Sequence, residues 1–160
     1  MDKEQLRGAL AAAARQVLED AAFVFTEEAD APTDESAWST AISQVYLPFV
    51  GPTCGRFMLA ASSRLGESLA AEMIAADPGS PESEEEAEDS LRELLNMISG
   101  ATLEEVFREE PWEMAVPELR QVSPAEYLAT RLDADVWVHL DTEDADPLEL
   151  AVFLGKGEPR

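Results

Sequence analysis

A chain of 160 residues, 46% of them hydrophobic, can bury one sizeable core and is short for two, so a single domain over residues 1–160 is expected. Eleven Lys and Arg against 34 Asp and Glu leave a formal charge of −23, which repels phosphate backbones and anionic lipid heads and excludes nucleic acid and membrane surfaces as expected partners. Cys54 is the only cysteine and His139 the only histidine, so neither an internal disulfide nor a His/Cys zinc site is expected. No eighteen apolar residues run together and no basic segment leads into a cleavable apolar one, which makes a soluble, cytoplasmic protein the expectation.

Leu6, Leu10, Ala13, Ala14, Val17 and Leu18 recur at helical spacing and predict a first helix over residues 3–20. Phe23, Val24 and Phe25 predict a strand over 22–27, ahead of a polar turn at 30–36. Loosely alternating apolar residues over 39–50 and 55–61, separated by Gly51-Pro-Thr, predict a hairpin. Leu65, Leu69, Met73 and Ile74 predict a second helix over 63–76, stopped by the two prolines and the glycine of 77–81. Residues 82–89 hold six carboxylates in eight positions, a charge that suits the N-terminal turns of a third helix reaching Phe107. Short extended pieces follow at 112–116 and 119–122, around Pro117. Ser123-Pro-Ala-Glu126 has the form of a capping box opening a helix to Thr130. Alternation over 136–140 and 148–154 predicts a terminal hairpin, and residues 155–160 a frayed tail.

The third helix carries the informative segment. At 100° per residue, Leu91, Leu94, Leu95 and Ile98 form one apolar stripe, which leaves Asp89, Glu93, Asn96 and Gly100 on the opposite face. Asn is mildly unfavourable inside a helix, and Gly costs about 1 kcal/mol relative to Ala, so both positions ask for a reason. The usual phosphate-loop, dinucleotide, serine-hydrolase and zinc-protease strings are absent, and the acidic run lacks the spacing of a calcium loop. His139 has no partner in sequence that would make it a base, and Cys54 has none that would make it a nucleophile; neither is assigned a role. No metal ligands are expected.

Read as Asp89-xxx-Glu93-xx-Asn96-Met-Ile-x-Gly100, the segment resembles the signature of the CheC/CheX/FliY chemotaxis phosphatase family, in which an Asp or Ser, a Glu, an Asn and a later proline recur. Residues 50–59, a glycine-bounded turn into a strand, resemble the segment before the second helix of CheX-like domains. Pro117 lies about two residues nearer to Asn96 than the family pattern has it. The first helix offers no Asn after a Glu, so the single motif resembles CheX more than the two-motif CheC.

The resemblance implies an α+β fold, a mostly antiparallel sheet of about six strands with the first and third helices packed on one face. It implies hydrolysis of the phosphoaspartate of a CheY-type receiver domain, with Asn96 orienting the attacking water and Glu93 pairing with a receiver lysine as the catalytic residues. Asp89 and Gly100 would be partner-binding. Magnesium would be held by the receiver, leaving this chain without a cofactor of its own. A homodimer through paired strands is also implied, and the terminal hairpin is the edge expected to form it. A non-catalytic receiver-binding or motor-component adaptor of the same fold, or a small acidic secretion-type chaperone, are the alternatives.

Overall fold

Local signals account for where most elements begin and end. The computed structural model describes residues 1–29, 38, 41–75, 81–143 and 146–155, and for 81–85 the backbone alone. Helix α1 spans Lys3–Ala22, capped by the Asp2 carboxylate, which accepts from the Glu4 N–H at 3.0 Å. It buries Leu6, Leu10, Ala14 and Leu18. The helix ends on Phe23, whose φ of 54° is a left-handed cap, and the Val24 N–H closes back onto the Leu18 carbonyl at 3.1 Å. That closure corrects the strand expected over 22–27. Phe23 and Phe25 are exposed, and the first strand, β1, is only Thr26–Glu28, because the αL turn takes Phe23 out of extended geometry whatever its β propensity.

Strands β2 (Ile42–Val50) and β3 (Cys54–Ser62) form the expected hairpin, in register from Ile42↔Ser62 to Val50↔Cys54. A Cβ at Gly55 would stand 2.5 Å from the Phe153 carbonyl oxygen, and one at Gly51 2.8 Å from the Phe107 ring, so neither position has room for a side chain. Helix α2 (Ser63–Met73) is capped by the Ser62 hydroxyl, which accepts from the Leu65 N–H at 3.1 Å. The expected turn at 30–36 and all but the last residue of the breaker at 77–81 lie outside the described residues. Pro81 is the first residue of α3 (Pro81–Phe107), where its missing N–H costs nothing, and the acidic run occupies the first turns as expected.

The two pieces flanking Pro117 are β4 (Glu113–Met114) and β5 (Glu118–Val122). Helix α4 (Pro124–Arg131) opens on the capping box, with the Glu126 N–H on Ser123 Oγ at 3.3 Å and the Ser123 N–H on Glu126 Oε2 at 3.2 Å. Strands β6 (Val136–Thr142) and β7 (Pro147–Leu154) follow; residues 156–160, most of the expected tail, lie outside the described residues.

The strands form one seven-stranded antiparallel sheet, ordered β1-β6-β7-β3-β2-β4, with β5 pairing the same edge of β2 as β4. Alternation divides it into two faces. Val45, Leu47, Phe57, Leu59, Leu150 and Val152 enter the main core with α1, α2 and α3, while Ile42, Tyr46, Met58, Ala60, Ala151 and Phe153 face outward under Trp38 and Tyr127 of α4. The terminal hairpin is not an edge. β6 is flanked by β1 and β7 by β3, so both are interior, and the edges left open among the described residues are β1 and the β4/β5 side.

Candidate functional site

Helix α3 presents the candidate site because its buried residues hold it in one rotation. Leu91, Leu94, Leu95, Ile98, Thr102 and Leu103 are buried against α1, α2 and the sheet. Glu93 is exposed on the other side, and Asn96 and Gly100 are half-buried beside it. Glu93 and Asn96 are three residues apart, less than one 5.4 Å turn, so both can reach one small group. Among the described residues neither side chain has a hydrogen-bond or ion-pair partner. The Asn96 carboxamide therefore keeps its donor and its acceptor for an outside molecule.

Asp89 behaves differently. Its carboxylate accepts from Arg92 Nη1 at 2.9 Å, and Arg92 Nη2 lies 3.8 Å from Glu88. The pair is exposed and worth under about 1 kcal/mol, so a partner's charge can displace it. Gly100 lies next to Met114 of β4, whose Cε would stand 3.7 Å from an added Cβ. That is ordinary contact, so packing within the chain does not require glycine there.

The surroundings bound the open face. Phe107 continues the same side of the helix seven residues beyond Gly100, yet it is buried, with Gly51 against its ring and the Phe49 ring 6.3 Å away. On the α1 side a shallow groove runs between the helices, lined by Gly8, Ala9, Ala12, Ala13, Ala101 and Glu105 among others. Met97, the residue after Asn96, is 39% exposed. Among the described residues no group of three or more His, Cys, Asp and Glu side chains is arranged to hold a metal ion, and no helix is long and apolar enough to cross a membrane.

A second polar cluster lies on the outer sheet face and was not singled out from the sequence. Glu149 of β7, 0% exposed, accepts from the Tyr127 hydroxyl and from Arg131 Nη1, 3.2 Å from each carboxylate oxygen. His139 Nδ1 is 2.8 Å from Glu149 Oε2, and its Nε2 is 2.9 Å from Asp141 Oδ1. Burial alone would lower the His139 pKa, but the hydrogen bonds to Glu149 and Asp141, and the charges of both, more than reverse this and raise it above its ordinary value. Burial, then the charge of Glu149 and the hydrogen bond to it, hold the Tyr127 pKa well above that of a free phenol. The available signal was Glu149 itself, alternating with Ala151 and Phe153 on one strand face: a carboxylate among apolar neighbours needs partners.

Comparison with known proteins places this architecture. The profile of the family described as "Chemotaxis phosphatase CheX" matches residues 44–140. No curated protein matches the chain. Among solved structures, CheX in a CheX-CheY-BeF3-Mg complex from Borrelia burgdorferi is similar at a TM-score of 0.72 and 14% identity, over 96% of this chain and 97% of that one. Chemotaxis protein CheX from Vibrio vulnificus gives 0.72 and 14%, over 96% and 99%. CheX from Desulfovibrio desulfuricans gives 0.68 and 13%, over 94% and 99%. At these identities the structures show a shared fold. The profile covers more than half of the chain and all of α3, and the chain therefore belongs to the CheX family of chemotaxis phosphatases.

Proposed function

We propose that this chain hydrolyses the phosphoaspartate of a CheY-type receiver domain in the cytoplasm, using Glu93 and Asn96. The observation that carries the reading is that these two side chains lie within one turn on the open face of α3, unengaged by any described residue, inside the region matched by the CheX profile. The solved complex of the Borrelia burgdorferi relative contains CheY, BeF3 and magnesium, which supports a receiver as the partner.

An acyl phosphate is already reactive, so catalysis needs chiefly a water held in line with phosphorus. The Asn96 carboxamide accepts one hydrogen bond from that water and donates another to the phosphoryl site, fixing the attacking lone pair. Attack forms the new P–O bond as the bond to the aspartyl oxygen breaks, releasing inorganic phosphate and a free carboxylate. Glu93 pairs with a receiver lysine and holds the two surfaces in place. Magnesium, carried by the receiver, stabilises the charge on the leaving carboxylate and phosphoryl oxygens when bound. Asp89 exchanges Arg92 for a partner cation, and Gly100 admits the partner backbone.

The test is phosphate release from phosphorylated receiver domains in the presence of this chain, compared with each receiver's own rate; association without acceleration would favour the adaptor reading. Gly100→Ala separates binding from folding. With space for the Cβ, the helix gains about 0.5–1 kcal/mol, read as a higher urea midpoint, while KM for the receiver rises several-fold and kcat changes little. A homodimer paired along β1 or β5, the edges open among the described residues, is proposed as well, and sedimentation equilibrium should give twice 17.4 kDa.

A further inference from the structure

On the outer sheet face, far in topology from α3, two guanidinium groups converge on one tyrosine. Arg56 of β3 lies over the Tyr46 ring with its Cζ 4.7 Å from the centroid, and over Phe153 at 4.9 Å. Arg120 of β5 lies over the same Tyr46 ring at 4.8 Å. The two charges can be no farther apart than the two Tyr46 distances laid end to end, which is inside a Debye length of about 10 Å at 0.1 M salt.

Neither guanidinium has a counter-charge among the described residues. Lys3, Arg7, Arg64, Arg92 and Arg131 each pair with a carboxylate, but among the described residues Arg56 and Arg120, like Arg15 and Arg108, pair with none, and only Arg56 and Arg120 share one aromatic ring. Glu118 stands opposite Tyr46 in register on the same face and still makes no ion pair with either. The Arg56 Nε is sealed from solvent without a hydrogen-bond partner. Two like charges at this spacing repel, a cost that an incoming carboxylate bonded to their accessible N–H groups would offset. The arginine stems do cover Tyr46 and Phe153, which are 3% and 0% exposed, but Leu or Met would cover them without the repulsion.

We infer that this pair is a docking clamp for a short, extended acidic segment of a partner protein. Two guanidiniums match one or two carboxylates, each able to take a fork of two N–H donors. β5, which carries Arg120, has a free edge among the described residues along which an extended chain can lie. A long phosphate ladder is disfavoured, because beyond the clamp it would meet the charge of −23. The clamp is independent of the phosphatase reading, since it uses the opposite face of the sheet.

The experiment is fluorescence anisotropy with a labelled octapeptide of alternating Glu and Val, and the same peptide with Gln for Glu. Saturable binding of the Glu peptide alone is expected, weakened at least about tenfold by Arg56→Gln and by Arg120→Gln. Arg120 is exposed, so its variant folds, and its phosphate-release rate should equal wild type. Arg56→Lys, which keeps the charge and loses the fork, should bind with intermediate strength. The inference is overturned by no saturable binding at millimolar peptide, by equal binding of the Gln peptide, or by unchanged affinity in both variants. Displacement by inorganic phosphate at the peptide's own concentration, which marks a small-anion site, overturns it too.

Discussion

Asn96→Ala is expected to reduce phosphate release from a phosphorylated cognate receiver to the receiver's own hydrolysis rate, a loss of at least about a hundredfold. Among the described residues, the carboxamide is the one group on the open face of α3 that can accept from and donate to a water at once. Alanine is the better helix former at this half-buried position, so the melting temperature should hold or rise slightly, and lost activity cannot be blamed on unfolding. Two further variants resolve the cause. Asn96→Asp keeps the shape and one acceptor but loses the N–H donor and brings a charge toward phosphate; Asn96→Gln keeps the amide and moves it by one methylene. Both should be nearly inactive if positioning is the mechanism. Glu93→Ala should instead act mainly on KM, because its pairing with a receiver lysine is made before the reaction and persists through it. Pre-steady-state phosphate release against receiver concentration separates the two effects. Wild-type rates in Asn96→Ala with every candidate receiver would sink the assignment.

Glu149→Ala carries the largest expected effect on stability. The carboxylate is fully buried and is the common acceptor for Tyr127, Arg131 and His139. With Asp141 it balances the two cations, so the cluster is neutral as a whole when His139 is charged. Removing Glu149 leaves Arg131 and His139 with their main counter-charge gone, at a cost of about 3–5 kcal/mol. For a domain of this size that is roughly 10 °C or more in Tm. It also removes the buried acceptor that ties Tyr127 and Arg131 of α4 to β7.

The pH dependence gives a second readout of the same change. The His139 pKa is raised in the folded state, so the charged imidazole contributes stability in full below the unfolded value near pH 6.5. That contribution is lost as pH climbs through the raised folded value. Urea midpoints of the wild-type chain should therefore decline on the alkaline side of about pH 6.5. In Glu149→Ala the strongest source of the upward shift is gone, burial dominates, and this decline should flatten. A variant as stable as wild type, with an unaltered pH profile, would show that the cluster is not coupled to folding.

What the sequence determined by itself was what short-range physics can decide. The rotation of α3 followed from Leu91, Leu94, Leu95 and Ile98, because a helix of 3.6 residues per turn leaves their opposite face no choice; Glu93, Asn96 and Gly100 lie where the period puts them. The Ser123–Glu126 capping box and the β2–β3 hairpin were legible for the same reason, since the groups that make them are neighbours along the chain. Phe23 shows the limit even locally: propensity favoured a strand, and the closure of α1 onto Leu18 overrode it.

Only the tertiary structure decided which strands are edges, because pairing between distant segments has no short-range signature. The β6–β7 hairpin reads as a free terminal unit, yet β3 and β1 enclose it, and among the described residues the open edges fall to β1 and the β4/β5 side. The burial of Glu149 depended on α4 folding across the outer face, and the convergence of Arg56 and Arg120 on Tyr46 needed three strands brought side by side. A carboxylate in a strand reads as solvated until the element that covers it is known, and an arginine reads as paired in so acidic a chain until every carboxylate near it has been located.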